Sequence, residues 1–120
     1  TFSAPAPIGP YSQAVLSGNT LYVSGQIAIN PSSGKMVQSS ISEEARQVME
    51  NLKAILTEAG MGFENVVKTS IFLMNIDNFN AVNEVYGSYF SGDFPARETV
   101  QVAKLPKDAN LEISIIAVKG

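Results

Sequence analysis

The chain is 120 residues long, 45% hydrophobic and 16% charged, with a formal net charge of −3, a composition that suits one globular domain with a modest core. It contains no Cys and no His, which excludes disulfides, thiolate or imidazole metal ligands, a cysteine nucleophile and any His-based triad, and leaves acid–base work to carboxylates, Tyr, Lys or bound water. The eight Lys and Arg are scattered without a run, so the chain offers no phosphate-tracking stripe, and no apolar stretch approaches the length of a membrane span.

In chain order, the Pro-rich opening through Gly9-Pro10 reads as extended and irregular. Residues 12–16 form a short expected strand, closed by the turn Ser17-Gly18-Asn19, and residues 20–29 a longer one, closed by a turn at 30–34. A weak strand is expected at 35–37. The clearest helix is expected over 42–59, with Ile41, Ala45, Val48, Met49, Leu52, Ile55, Leu56 and Ala59 on one stripe. Ser42 is its expected N-cap, Glu43 and Glu44 oppose the dipole in the first turn, and Gly60 stops it.

Residues 66–74 read as a strand, followed by a second helix over 78–90 with Asp77 as N-cap, then a loop at 91–95. Strands are expected at 98–103 and 111–118, separated by a turn at 105–108. The expected architecture is α+β: about six strands in a mixed sheet with two helices on one face, all in a single domain over residues 1–120. Val23, Ile27 and Ile29 are expected on one face of the second strand, and Leu21, Tyr22 and Ala28 leave the other face with little polar surface. The last strand places Leu111, Ile113 and Ile115 opposite Ile116 and Val118. A sheet apolar on both sides needs two covers, and two helices supply one, so the remaining face is expected to bury itself against sister subunits.

Of the two arginines, Arg46 lies off the helical stripe, whereas Arg97 follows the Pro95-stiffened loop and opens the strand at 98–103. Its planar fork matches a carboxylate; a surface ion pair with Glu98 is the competing reading. Glu112 falls on a largely apolar strand face, where desolvation would raise its pKa toward neutrality; an edge position facing water is the alternative. Thr99 and Gln101 share the face of Arg97 by alternation. Tyr11 stands in a segment stiffened by Gly9-Pro10, Ser24-Gly25 interrupts a strand where a ligand or another backbone can approach closely, and Asn83 is a polar side chain near an apolar helix face. For Tyr11, Ser24-Gly25, Asn83 and Thr99 taken singly, packing or turn geometry is the better explanation.

Read together, Gly9-Pro10-Tyr11-Ser12-Gln13-Ala14, Val23-Ser24-Gly25-Gln26-Ile27, Pro95-Ala96-Arg97-Glu98-Thr99-Val100 and residues 102–108 (VAKLPKD) resemble the reactive intermediate deaminases, the RidA or YjgF-like proteins also called L-PSP endoribonucleases. The resemblance runs the length of the chain and favours the carboxylate-binding reading of Arg97. It implies a chorismate-mutase-like fold, a homotrimer with ligand clefts between subunits, and hydrolysis of 2-iminopropanoate and 2-iminobutanoate to 2-oxo acids and ammonia without a cofactor. By motif, Arg97 would clamp the substrate carboxylate and Glu112 would activate water. Tyr11, Ser24, the Gly25 backbone, Asn83 and the Thr99 backbone would line the cleft. Many relatives carry Ser-Cys where this chain has Glu98-Thr99.

Two other functions compete. An RNA-cleaving translation inhibitor is disfavoured by the acidic balance and the absent His. A non-catalytic binder of small acids, or a chaperone-like partner protein, would use Arg97 without needing Glu112. With no basic-then-apolar leader at the start, the expected compartment is the cytoplasm, or the mitochondrial matrix for a chain whose leader has been removed.

Overall fold

The computed structural model describes residues 1–120, in the order β1 (Ala14–Ser17), β2 (Thr20–Gln26), α1 (Ile41–Glu58), β3 (Val66–Leu73), α2 (Phe79–Gly87), β4 (Ala96–Gln101) and β5 (Leu111–Val118). The strands form one five-stranded sheet in the order β1-β2-β5-β3-β4. Only β3 and β4 run parallel, and α2 makes the crossover that a parallel pair requires. The radius of gyration, 13.3 Å, is close to the roughly 13.6 Å of a compact domain this long.

The sheet has five strands, not about six. The stretch expected at 35–37 makes only an isolated bridge, Ile29 to Met36, because β2 ends early. Between Val23 (opposite Ile115) and Gln26 (opposite Ile113) the register carries one extra residue, a bulge at Ser24-Gly25 that bends the strand and breaks its alternation. Val23 therefore joins the main core, while Ile27 and Ile29 pack into a small separate cluster with Leu105 and Ala109.

Helix α1 begins at Ile41, one residue earlier than expected. Its N-cap is Ser40, whose hydroxyl accepts from the Glu43 N–H at 3.1 Å, rather than Ser42. The stripe itself is as expected: Ala45, Val48, Met49, Leu52, Ile55 and Leu56 are all buried. Gly60 follows the C-cap at φ +72, a left-handed conformation that a Cβ would disfavour.

Helix α2 is shorter than 78–90. A 3₁₀ turn, Ile76–Asn78, precedes it, and the Asp77 N–H is itself capped by the Asn75 side chain at 2.9 Å, so Asp77 is not the N-cap. Beyond Gly87 the winding tightens to i→i−3 hydrogen bonds at Tyr89 and Phe90.

Both helices lie against one face of the sheet, over Leu21, Val23, Ile71, Leu73, Leu111, Ile113, Ile115 and Ala117. The other face carries exposed Val15, Tyr22, Val100 and Val118 with half-buried Phe72 and Ile116. This is the one-sided cover expected from the doubly apolar strands. No helix is long and apolar enough to cross a membrane.

Two buried polar side chains fix the irregular segments around this frame. The Glu44 carboxylate, fully buried, accepts from the Asn110 backbone N–H and side-chain amide, each at 2.8 Å. The Asn51 amide donates to the Ile27 and Ile29 carbonyls at 3.2 and 3.0 Å, so α1 holds the chain just beyond the bulge. Asn51→Ala leaves both carbonyls buried without that donor. It is expected to cost about 1–3 kcal/mol, read as a lower urea midpoint at unchanged m-value.

Candidate functional site

Arg97 is the second residue of β4, which starts at Ala96 rather than at Glu98. Its register partner is Thr69, a fully buried residue, so the side chain projects on the helix-covered face. There the guanidinium lies over two rings of α2, 5.0 Å from the Tyr86 centroid and 5.5 Å from Phe79. Cation–π contact with both rings holds it in place. The Tyr86 hydroxyl is in turn tied to Thr69 Oγ1 at 3.0 Å. Burial pushes the Tyr86 phenol up, partly offset by the Thr69 hydrogen bond and the Arg97 charge, so the floor stays a neutral phenol.

The surface ion pair that competed as an explanation of Arg97 is absent. The chain's two salt bridges are Lys68–Glu98 and Lys104–Asp108. Glu98 points to the opposite face, where the Ser70 hydroxyl and then Lys68 hold its carboxyl below the usual range. Arg97 therefore presents an unpaired fork to a cavity of about 290 Å³, lined also by Asn83, Tyr86, Gly87, Phe94 and Pro95.

Glu112 sits elsewhere. In β5 it pairs with Phe72 and so projects from the uncovered face. Its carboxylate fills the space that a side chain at Gly25 would occupy: a Cβ there would lie 2.5 Å from Glu112 Oε2. The close approach at the bulge glycine is made by a side chain of the same chain, not by the ligand or backbone that its place in a strand suggested. No Lys or Arg forms an ion pair with Glu112, and burial alone pushes its carboxyl above the ordinary 4.5. It lines a small cavity of about 30 Å³ together with Tyr11, Gly25, Ile8, Ile27, Ile29 and Pro106.

The sequence-predicted residues therefore fall into two groups. Arg97 and Asn83 share one cavity; Tyr11, Gly25 and Glu112 share the other. Ser24 lines neither: its hydroxyl donates to the Ser12 carbonyl at 2.5 Å and its N–H to the Gln13 carbonyl at 2.9 Å, which fastens the segment carrying Tyr11 to β2. Thr99 lies on the Arg97 face, opposite Ile71, and its Oγ1 is a buried polar atom with no hydrogen-bond partner. Between Arg97 and Glu112 lie two strand spacings and three residues of strand, roughly 14 Å between Cα atoms, and their side chains leave opposite faces.

Sequence reasoning missed the aromatic floor of Phe79 and Tyr86, which it took for ordinary core of α2. Their spacing of seven residues, on the helix preceding the arginine, was the available signal. It also missed the apolar wall of the Glu112 cavity, because the bulge that turns Ile27 and Ile29 away from the main core is not visible in residue order.

A raised carboxyl pKa has a stability consequence. Protonated Glu112 is the form the fold prefers, so its contribution is greatest below the ordinary value of 4.5 and is lost as pH rises through the folded-state value. Glu112→Gln removes that loss. The variant is expected to be more stable than the wild type at pH 7 and to show a smaller advantage at pH 4, measured as urea midpoints at the two pH values.

The family model described as Endoribonuclease L-PSP matches residues 1–119. The human protein named 2-iminobutanoate/2-iminopropanoate deaminase is 52% identical over 120 residues, covering 100% of this chain and 88% of that one. The crystal structure of RidA from an Antarctic Psychrobacter superposes with a TM-score of 0.96 at 42% identity, over 99% of this chain and 96% of that one. Escherichia coli TdcF with bound serine gives 0.96 at 40%, over 100% and 96%. With the same fold and full-length identity at this level, the chain belongs to the L-PSP family, the reactive intermediate deaminases of the RidA and YjgF type.

Proposed function

We propose that this chain is a 2-iminobutanoate/2-iminopropanoate deaminase that works as a homotrimer, each active site being assembled from the Arg97 half of one subunit and the Glu112 half of another. The observation that carries the reading is the Arg97 guanidinium, set over an aromatic floor and free of any carboxylate of its own chain. Support comes from the activity named for the human relative and from the amino acid bound in the TdcF structure. The eight scattered Lys and Arg give RNA no comparable foothold.

The two cavities differ in size in a way that divides the labour. About 290 Å³ beside Arg97 admits the carboxylate end of a small acid; about 30 Å³ beside Glu112 is room for a water, which needs roughly 10–15 Å³, and one small group beside it. Arg97 takes the substrate carboxylate in two parallel hydrogen bonds, with Asn83 beside it, and Tyr11, Gly25 and the Thr99 backbone complete the cleft. The protonated imine is already electrophilic. Glu112 accepts a proton as the water oxygen bonds to C2, then returns it to the amino group of the tetrahedral adduct; as the C–N bond breaks and ammonia leaves, Glu112 takes the adduct's hydroxyl proton, the C=O of the 2-oxo acid forms, and the proton passes from Glu112 to solvent. A carboxylate with a raised pKa suits both halves of that exchange near neutrality. The unpartnered sheet face, with exposed Val15, Tyr22 and Val100, supplies the apolar surface for the trimer.

Subunit complementation tests the shared site. Arg97→Ala and Glu112→Gln are each expected to be inactive as homotrimers. Unfolded together and refolded as a mixture, they are expected to regain imine hydrolysis, because some clefts then combine an intact Arg97 with an intact Glu112. Sedimentation equilibrium gives the assembly state in parallel. A mixture of trimers as inactive as its parents means that both groups come from one chain.

A further inference from the structure

The Glu112 cavity is polar at the carboxylate and at Gln13 and Gln26, and apolar along one wall. Beyond Glu112 and the Tyr11 ring, its wall includes Ile8, Ile27, Ile29 and Pro106. Once a water taking roughly 10–15 Å³ is seated, about half of the 30 Å³ is left against those apolar side chains. That remainder holds a methyl or ethyl group, not a branched or aromatic one. The geometry points to a specificity subsite: we propose that these four residues receive the alkyl side chain of the imino acid and that Ile8 sets its length limit. This rests on the deaminase reading above.

The four residues are not equally fixed. Ile27 and Ile29 are buried, with their carbonyls held by the Asn51 amide at 3.2 and 3.0 Å. Pro106 stands between Lys107 and buried Leu105. Ile27 and Ile29 form an inner wall that cannot change without disturbing the core, and Pro106, itself exposed, closes the wall beside Leu105. Ile8 is different. It lies outside every helix and strand, 50% exposed, in a short turn flanked by Pro7 and Gly9-Pro10. The Tyr11 N–H donates to the Gly9 carbonyl at 2.8 Å and the Ile8 N–H to the Tyr11 hydroxyl at 3.4 Å, so the Ile8 side chain and the Tyr11 ring come to the cavity on one turn. The Gln13 amide holds the preceding strap through the Thr1, Ala4 and Pro5 carbonyls. Ile8 is thus the wall residue whose size can be altered with the fold left intact.

The test compares full-length wild type, Ile8→Ala and Ile8→Phe on imines made in situ by an amino acid oxidase from alanine, 2-aminobutyrate and leucine. The readout is kcat/KM for 2-oxo acid formation. One methylene against an apolar wall is worth about 10–200-fold. Ile8→Ala is expected to raise the ratio of the leucine-derived imine to 2-iminopropanoate by about tenfold or more; Ile8→Phe is expected to lower 2-iminobutanoate relative to 2-iminopropanoate. Phe94→Ala, on the Arg97 cavity, is the control. Wild-type ratios in both Ile8 variants overturn the subsite alone, and a shift in Phe94→Ala instead assigns the alkyl group to the Arg97 side. A wild type that hydrolyses none of the three imines overturns the deaminase reading, and the subsite with it.

Discussion

Arg97→Ala is expected to lower kcat/KM for 2-iminobutanoate by about 10²–10⁴-fold while leaving the proposed trimer assembled. Each hydrogen bond to a charged group is worth about 1.5–3 kcal/mol, and a bidentate clamp makes two, which spans that range of rate. Lost orientation of C2 toward the water adds to it. The fold should tolerate the change. Arg97 is half-buried on an edge strand with no ion pair, and what it gives up is the contact with the Phe79 and Tyr86 rings, about 0.5–1 kcal/mol at a partly exposed site. Arg97→Lys should recover only a small part of the rate, because an ammonium supplies the charge without the planar fork. The measurements are imine-dependent 2-oxo acid formation for the three proteins, with circular dichroism and sedimentation equilibrium. Full activity in an assembled Arg97→Ala trimer sinks the carboxylate clamp.

The parts of this fold that were legible in the sequence are those where one period dominates. The α1 stripe repeats at three and four residues over five turns, and β5 alternates cleanly from Leu111 to Val118, so both were placed to within a residue or two. The errors lie where short polar groups compete. Residues 39–42 read Ser-Ser-Ile-Ser, three possible caps within four positions, and only the backbone decides that Ser40 bonds to Glu43. The α2 entry offered Asn75, Asp77 and Asn78 in the same way. The sixth strand failed because a bulge at Ser24-Gly25 ends β2 at Gln26, and a glycine in a strand announces a close approach without saying what approaches. Candidate residues could be named from the sequence, but not their division between two cavities, nor that Ser24 and Thr99 line neither. Alternation gives which residues within one strand share a face; it does not relate β4 to β5 across β3. Only the strand order and register, with Thr69 opposite Arg97 and Phe72 opposite Glu112, put the cation and the carboxylate on opposite faces. That separation is what turns an oligomer from a packing convenience into a requirement of the proposed chemistry.

Glu112→Gln is expected to bind 2-oxo acids about as the wild type does and to hydrolyse imines about 10²–10⁴-fold more slowly, the usual worth of a positioned general base. The amide keeps the shape of the side chain but cannot take a proton from water. Gly25→Ala should reach a comparable end by a different route. An added Cβ would lie 2.5 Å from Glu112 Oε2, 2.6 Å from its Cδ and 2.9 Å from its Cγ, so the carboxylate must swing away from where it now points. Gly25 is not among the residues of positive φ, so alanine is not strained by the backbone, and the damage falls on Glu112. A displacement on the order of 1 Å at a reacting group costs about 10²-fold. The two changes act on one group and should therefore not add: in the Glu112→Gln background, Gly25→Ala is expected to lower the residual rate by much less than it lowers the wild-type rate. The measurement is a four-corner cycle of kcat/KM, with the trimer checked at each corner. A Gly25→Ala enzyme as fast as wild type shows that Glu112 need not lie against that backbone to work. Additive losses show that Gly25 contributes something other than room for the carboxylate.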